Sequence, residues 1–426
     1  MRRTQCLAKL CFLNSLLVLS LGCSEQISQL ILSLEEVATV EQDARQLDQG
    51  TCNIPASYQP DPDHLEHSPM KYLRVNVHFM NSLDSANNYQ GSKARAFAKE
   101  LIEAANFYLG KNHKMALPVG NETPVLPTRY RYRITSSRGY EKQNGIYCHY
   151  DDQLFSFVTK GRARNTYNRD VIKRFGIGLD SIINVFIMPH HPDSVKSRSY
   201  KVTEAGVALG SGVKITGLFE TGKPASAYRG LVNHEIGHVL GLRHTWSSND
   251  GCADTPKHPN CWNTTDEPPC DSLASNNVMD YNAHQFAYSP CQIGKVHANI
   301  SRESGRARKL VVPNWCNLDE KKTIYVTDSV TWSGAKDLEG NLVIEDGGYL
   351  KVNCRLSIPK DGFISVAPQG TLELFKARIH NACGDQWQGI RVNKRGKTEG
   401  NVINLAGNKI ENVPILPPSD NRNTGS

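Results

Sequence analysis

Apolar and polar positions alternate along this chain in more than one rhythm. In residues 72–79, Leu73, Val75, Val77 and Phe79 are apolar and Arg74, Asn76 and His78 are polar. That period of two predicts a strand. Residues 92–108 carry Ala94, Phe97, Leu101, Ile102 and Ala105 at steps of three and four, the spacing of a helix that lays one face on a core. Residues 130–134 alternate again, and residues 181–188 are almost wholly apolar, which predicts a buried strand. His190 and His191 follow that strand and read as loop residues. Residues 226–233 mix apolar and polar positions as a core-packed helix does. The order strand, helix, strand, strand, helix predicts an α/β (α+β) domain over residues 69–315.

The rhythm changes over residues 322–412. Gly340, Leu342 and Ile344 have the same form as Gly348, Leu350 and Val352, as Gly362, Ile364 and Val366, and as Gly370, Leu372 and Leu374. The glycines are spaced 8, 14 and 8 residues, a period of 22. Short alternating strands at that period predict an all-β domain of stacked rungs, a parallel β-helix. A small antiparallel sandwich of hairpins is the alternative. Gly389, Ile390 and Val392 look like a degraded further rung. Rung-type domains often bind or cleave glycans. No pair of acids stands out here, which leaves binding of a glycan or a surface partner. Ahead of both domains, Ile27, Leu30, Ile31, Leu34 and Val37 have helical spacing, and Pro55, Pro60, Pro62 and Pro69 mark an extended linker. Residues 23–68 therefore read as a spacer or a propeptide, and residues 413–426 as a polar tail.

Composition narrows the setting. The 426 residues suffice for two or three domains, and 39% hydrophobic with 21% charged residues is ordinary for a soluble protein. The net charge of +7 is mild and no basic run reaches five residues, so a nucleic-acid partner is not implied. Arg2 and Arg3 precede an apolar run over residues 11–21, too short to span a bilayer comfortably. Residues 1–22 read as a signal peptide. Gly22 and Cys23 resemble the bacterial lipoprotein box, in which Cys23 carries lipid and anchors the mature protein to a membrane. Ordinary cleavage near Gly22 would instead give an extracellular protein. Export makes disulfides the default for the nine cysteines beyond Cys23, and an odd number leaves one thiol over. Cys252, Cys261, Cys270 and Cys291 allow three pairings, all open. Cys52 has two readings: a disulfide partner, or a thiolate that caps a metal and keeps a zymogen silent.

The candidate chemistry lies in His234-Glu235-Ile236-Gly237-His238-Val239-Leu240-Gly241-Leu242-Arg243-His244. On a helix, His234 and His238 share one face and can hold one metal. Glu235 lies between them, within reach of a water. Gly241 can take the positive φ that ends a helix sharply and swings His244 round as a third ligand. Three histidines leave zinc an open position, as a catalytic site requires. Met279, in Asn276-Asn277-Val278-Met279-Asp280-Tyr281, is placed to form an apolar floor beneath the imidazoles, with Tyr281 near the metal.

The run H-E-x-x-H-x-x-G-x-x-H resembles the zinc site of metzincin metallopeptidases. Together with His244-Thr245-Trp246, Cys252-Ala253-Asp254-Thr255-Pro256 and Asn277-Val278-Met279-Asp280-Tyr281, it is similar to the pappalysin/cytophagalysin family over roughly residues 70–300. The resemblance implies a metzincin-like catalytic domain with one zinc ion on His234, His238 and His244. It implies Glu235 as general base, Tyr281 as zinc ligand or oxyanion donor, Met279 as floor, and protein or peptide substrates. Secreted relatives often brace loops with calcium, for which Asp254 is a candidate ligand. The stretch 282–291 is longer and less regular than the family pattern. The rival reading is an adhesion or glycan-binding surface protein whose zinc domain is accessory.

Overall fold

The computed structural model describes residues 26–30 (as backbone), 51–84, 88–246, 249–405 and 407–414. The expected signal peptide, Cys23 and residues 415–426 lie outside the described residues. The first described segment departs from expectation. It is not helical: Gln26–Leu30 is a strand, β1, which pairs antiparallel with residues 390–394. The backbone groups on that outer sheet edge need partners, and an added strand supplies them. Residues 31–47 of the expected helix lie outside the described residues.

The expected linker does not run free either. Residues 51–67 form three 3-10 turns. Cys52 is disulfide-bonded to Cys354, three hundred residues on. This removes the metal-capping thiolate and corrects the zymogen-switch reading.

The first core lies on a six-stranded sheet: β2 (Lys71–Asn81), β3 (Tyr130–Ile134), β4 (Ile146–Tyr150), β5 (Ile183–Met188), β6 (Ala205–Leu209) and β7 (Gly212–Thr216). The order is β3-β2-β5-β7-β6, with β4 also on β2. Every pairing is parallel except the β6–β7 hairpin, which leaves β6 as an antiparallel edge. Helix α1 (Gly91–Gly110) packs Phe97, Leu101, Ile102 and Leu109 onto Val75, Val77, Ile183 and Val185. Three short helices, α2 (Asp170–Phe175), α3 (Pro192–Val195) and α4 (Leu218–Thr221), line the connections. Helix α5 (Arg229–Val239) adds Val232 and Ile236 to the same core, and α6 (Pro290–Ser301) adds Ile293, Val296 and Ile300. The fold is mixed α/β with parallel sheets.

The second core is built differently. Strands β8 (Ile324–Val326), β11 (Leu342–Ile344), β14 (Ile364–Val366) and β17 (Ile390–Arg395) make one parallel sheet. A second holds β9 (Ser329–Trp332), β12 (Tyr349–Val352), β15 (Thr371–Leu374) and β19 (Asn401–Asn404). The third holds β10 (Lys336–Asp337), β13 (Arg355–Ser357), β16 (Arg378–His380) and β20 (Lys409–Ile410). A two-residue strand, β18 (Thr398–Glu399), folds back antiparallel onto the end of β17. The chain visits the three sheets in turn. Leu342 sits opposite Ile324 and Ile364, and Leu350 opposite Val330 and Leu372, so like residues stack in columns toward the interior.

Charged and covalent ties hold the two parts together. Asp337 of β10 takes paired hydrogen bonds from Arg308 and Arg355, at 2.6–3.1 Å, and all three are buried. The Lys71 ammonium of β2 donates to the Asp337 carbonyl at 3.1 Å. Cys316–Cys383 crosses the same boundary. The other disulfides are Cys252–Cys291 and Cys261–Cys270, and Cys148 is the free cysteine among the described residues. No helix among the described residues is long and apolar enough to cross a membrane.

Candidate active site

Helix α5 presents His234 and His238 on one face, one turn apart, with rings edge to face at 4.8 Å between centroids. Gly241 follows the helix at φ +94°, and the Leu242 N–H returns to the Gly237 carbonyl at 2.9 Å. That left-handed closure turns the chain back and places His244 beside the pair. The three Nε2 atoms form a triangle with sides of 3.0, 3.2 and 3.2 Å.

Protonation makes that triangle informative. His234 donates Nδ1–H to the Val278 carbonyl at 2.7 Å, and His238 donates Nδ1–H to the Leu242 carbonyl at 3.0 Å. Each neutral ring therefore turns a bare Nε2 lone pair toward the others. Burial, then the neighbouring histidines, push His234 down to about 3 and His244 to about 4, and burial lowers His238 too. Converging lone pairs at this distance repel without a cation between them. Zinc–nitrogen bonds of about 2.0–2.1 Å suit a triangle of this size, and neutral imidazoles are the donors zinc takes. The residues fit the ion.

Glu235 lies on the same helix turn, 4% exposed, beneath edge strand β6. Burial pushes its carboxyl up to about 8, against a lowering hydrogen bond from the Ala208 backbone. Gly206 permits this approach, because a Cβ there would stand 2.6–2.7 Å from the Glu235 side chain. Tyr281 is 44% exposed, its ring 4.8 Å from that of His244 and 5.8 Å from that of His234. Its pKa is raised, by burial first and then by Glu235. Met279 is fully buried, with its sulfur against Gly237 of α5.

No family model matches the chain. Proteins named extracellular metalloprotease from Arthroderma benhamiae and from Trichophyton verrucosum are each 26% identical to it over 243 residues, 50% of this chain and 88% of theirs. The chain is similar to extracellular metalloproteases. Two solved structures of mirolysin align over 57% of this chain and 96% of theirs. One is in complex with compound 9, and the other is the mature Tannerella forsythia protein with a cleaved peptide. Identity is 17% and the TM-scores are 0.39 and 0.38. The metallopeptidase resemblance of the motif thus has a counterpart in sequence similarity over half of the chain.

Further residues complete the site through partners that the sequence did not reveal. Asp280, between Met279 and Tyr281, is buried and accepts from Ser275, from Thr245 and, at 3.0 Å, from His258. Burial acts to raise its pKa, but those three hydrogen bonds prevail and hold it below the usual carboxylate range. Burial likewise acts to lower His258, and Asp280 overrides it to raise the imidazole. The Asn277 side chain accepts the Met279 N–H at 2.8 Å and is locked to Gln292. Asp254, the candidate calcium ligand, has another task. Its carboxylate accepts from the Ser289 hydroxyl at 2.7 Å and the Cys291 N–H at 3.0 Å, capping α6. A cleft of ≈ 510 Å³ opens over the site, lined by His234, Glu235, Tyr281, Gly206, Arg229 and the 60%-exposed Trp262.

Proposed function

We propose that this protein is an exported zinc-dependent endopeptidase of the metzincin type, near the pappalysin/cytophagalysin branch, acting on peptide bonds of proteins. The convergence of three histidine Nε2 atoms beside a buried glutamate in an open cleft carries the reading. Zinc on His234, His238 and His244 would supply Lewis acidity toward a carbonyl and a water, and its charge would favour Glu235 as the carboxylate. Glu235 then takes the proton of the attacking water and returns it to the leaving amine. Tyr281, protonated at neutral pH, is the donor toward the developing oxyanion. Among the described residues no further strand pairs with the outer edge of β6, where an extended substrate can add as a strand. The four disulfides among the described residues suit an oxidising, extracellular setting, as the names of the relatives also suggest. Residues 324–410 we read as a parallel β-helix fused to the peptidase, with a binding role for a glycan or surface partner.

Glu235→Ala tests the mechanism. It removes no ligand, so the metal content should stay at wild-type level. Peptide cleavage should fall by roughly 10²–10⁴, the usual worth of positioned acid–base help. His244→Ala should lose the metal itself. Near-wild-type cleavage by Glu235→Ala would overturn the assigned base.

A further inference from the structure

A second histidine cluster lies outside the cleft. Leu65–His67 is a 3-10 turn just ahead of β2, and His64 and His67 lie three residues apart across it. Three residues per turn eclipses such side chains. The two rings stack accordingly, 4.8 Å between centroids and 7° between planes. Glu66 Oε1 is 3.4 Å from His64 Nδ1 and 3.4 Å from His67 Nε2. One ligand atom from each of these residues lies within 4.8 Å of the others.

Two observations separate this cluster from an ordinary polar surface. The His67 side chain is 3% exposed and set edge-on against Trp332, yet neither ring nitrogen has a hydrogen-bond partner. The Tyr325 carbonyl lies beside the ring but outside hydrogen-bond geometry. A buried unmet donor or acceptor is destabilising and calls for a cause. Second, His64 Nε2 lies 3.3 Å from Asp328 Oδ2, in the turn between β8 and β9. A carboxylate there holds the His64 proton on Nε2 and leaves the Nδ1 lone pair facing Glu66. Carboxylate, then histidine, then ion is how proteins orient metal-binding imidazoles.

We propose that His64, Glu66 and His67 form a second site for a divalent transition metal, zinc by its donor set, with Asp328 as the positioning residue. Two imidazoles and one carboxylate match zinc's preferences, and the half-exposed Glu66 leaves a position for solvent. Asp328 belongs to the second core and the other three to the N-terminal arm. The ion therefore clips that arm onto the repeat domain.

The full chain tests this by elemental analysis after zinc loading and dialysis. Wild type should retain two zinc ions and Glu66→Gln one, because Glu66 is accessible and the swap keeps its volume. A second measurement uses cobalt(II) on the full chain carrying His238→Ala and His244→Ala. One equivalent should give a visible d–d band, and adding Glu66→Gln should abolish it. The proposal is overturned if wild type retains a single zinc that Glu66→Gln does not disturb. It is equally overturned if no cobalt band forms, or if the band is indifferent to Glu66→Gln.

Discussion

At the residue scale, Glu235 owes its position to a neighbour without a side chain. Gly206 faces it from β6, and a methyl there would reach the carboxylate at 2.6–2.7 Å. The crowded atoms are the end of a flexible side chain, so Gly206→Ala should cost little stability. It should instead displace the proposed base by a fraction of an ångström or more. Displacements near 1 Å cost up to about 10²-fold in rate. Gly206→Ala is thus expected to bind metal normally and to lose roughly ten- to a hundredfold in kcat/KM. An unchanged kcat/KM would contradict this account of the roof. The sequence names His234, Glu235, His238 and His244 because their spacing is a property of one helix and its cap. Nothing comparable marks Gly206, since its partner is 29 positions away and the contact crosses from strand to helix.

At the element scale, the turn carrying Met279 and Tyr281 depends on the buried pair of Asp280 and His258. Asp280 is held below its ordinary value, so its contribution is present above about pH 4 and fades as pH falls. His258 is raised, so its contribution is full below about pH 6.5 and fades as pH rises through the folded-state value. The pair stabilises most between those limits. His258→Gln should lower unfolding stability by about 2 kcal/mol near pH 6, the worth of a hydrogen bond to a charged group. The difference from wild type should shrink at pH 9, as urea titrations at both pH values can show. An equal difference at both would exclude an ionic role for His258. The edge hairpin β6–β7 was within reach of sequence reading, because Leu209-Gly210-Ser211-Gly212 carries a turn signal between apolar runs. β4 left a weaker trace, with only Ile146 and Tyr147 and the half-buried Cys148 to mark it.

At the scale of the whole molecule, Asp337 joins the first core to the second. Burial works to raise its pKa, but Arg355 and Arg308 hold it far below the usual carboxylate range. Asp337→Asn leaves two buried guanidinium groups without a counter-charge. Breaking a buried pair from one side costs about 3–5 kcal/mol. Calorimetry should show the variant melting earlier, with the unfolding of the second core separating from that of the first. A single transition at the wild-type temperature would mean that the disulfides Cys52–Cys354 and Cys316–Cys383 suffice. None of these ties is legible in the chain. A Pro-rich arm looks like a linker until its far partners, Cys354 for Cys52 and Asp328 for His64, are folded beside it.

The sequence by itself determined what near neighbours decide. The two histidines on one helical face, the glycine that turns His244 inward and the strand periods of both cores follow from backbone geometry within a few residues. The repeat of 22 residues in the second half is similarly local, one circuit of strands and turns after another. Tertiary structure alone decided which carbonyls orient the imidazoles, which cysteines pair, that Asp254 caps a helix and that residues 26–30 join a sheet edge as a strand. Each of those outcomes depends on a distant group that offers a free hydrogen bond, a charge or a thiol at the right distance. Periodicity in the chain carries no record of that distance.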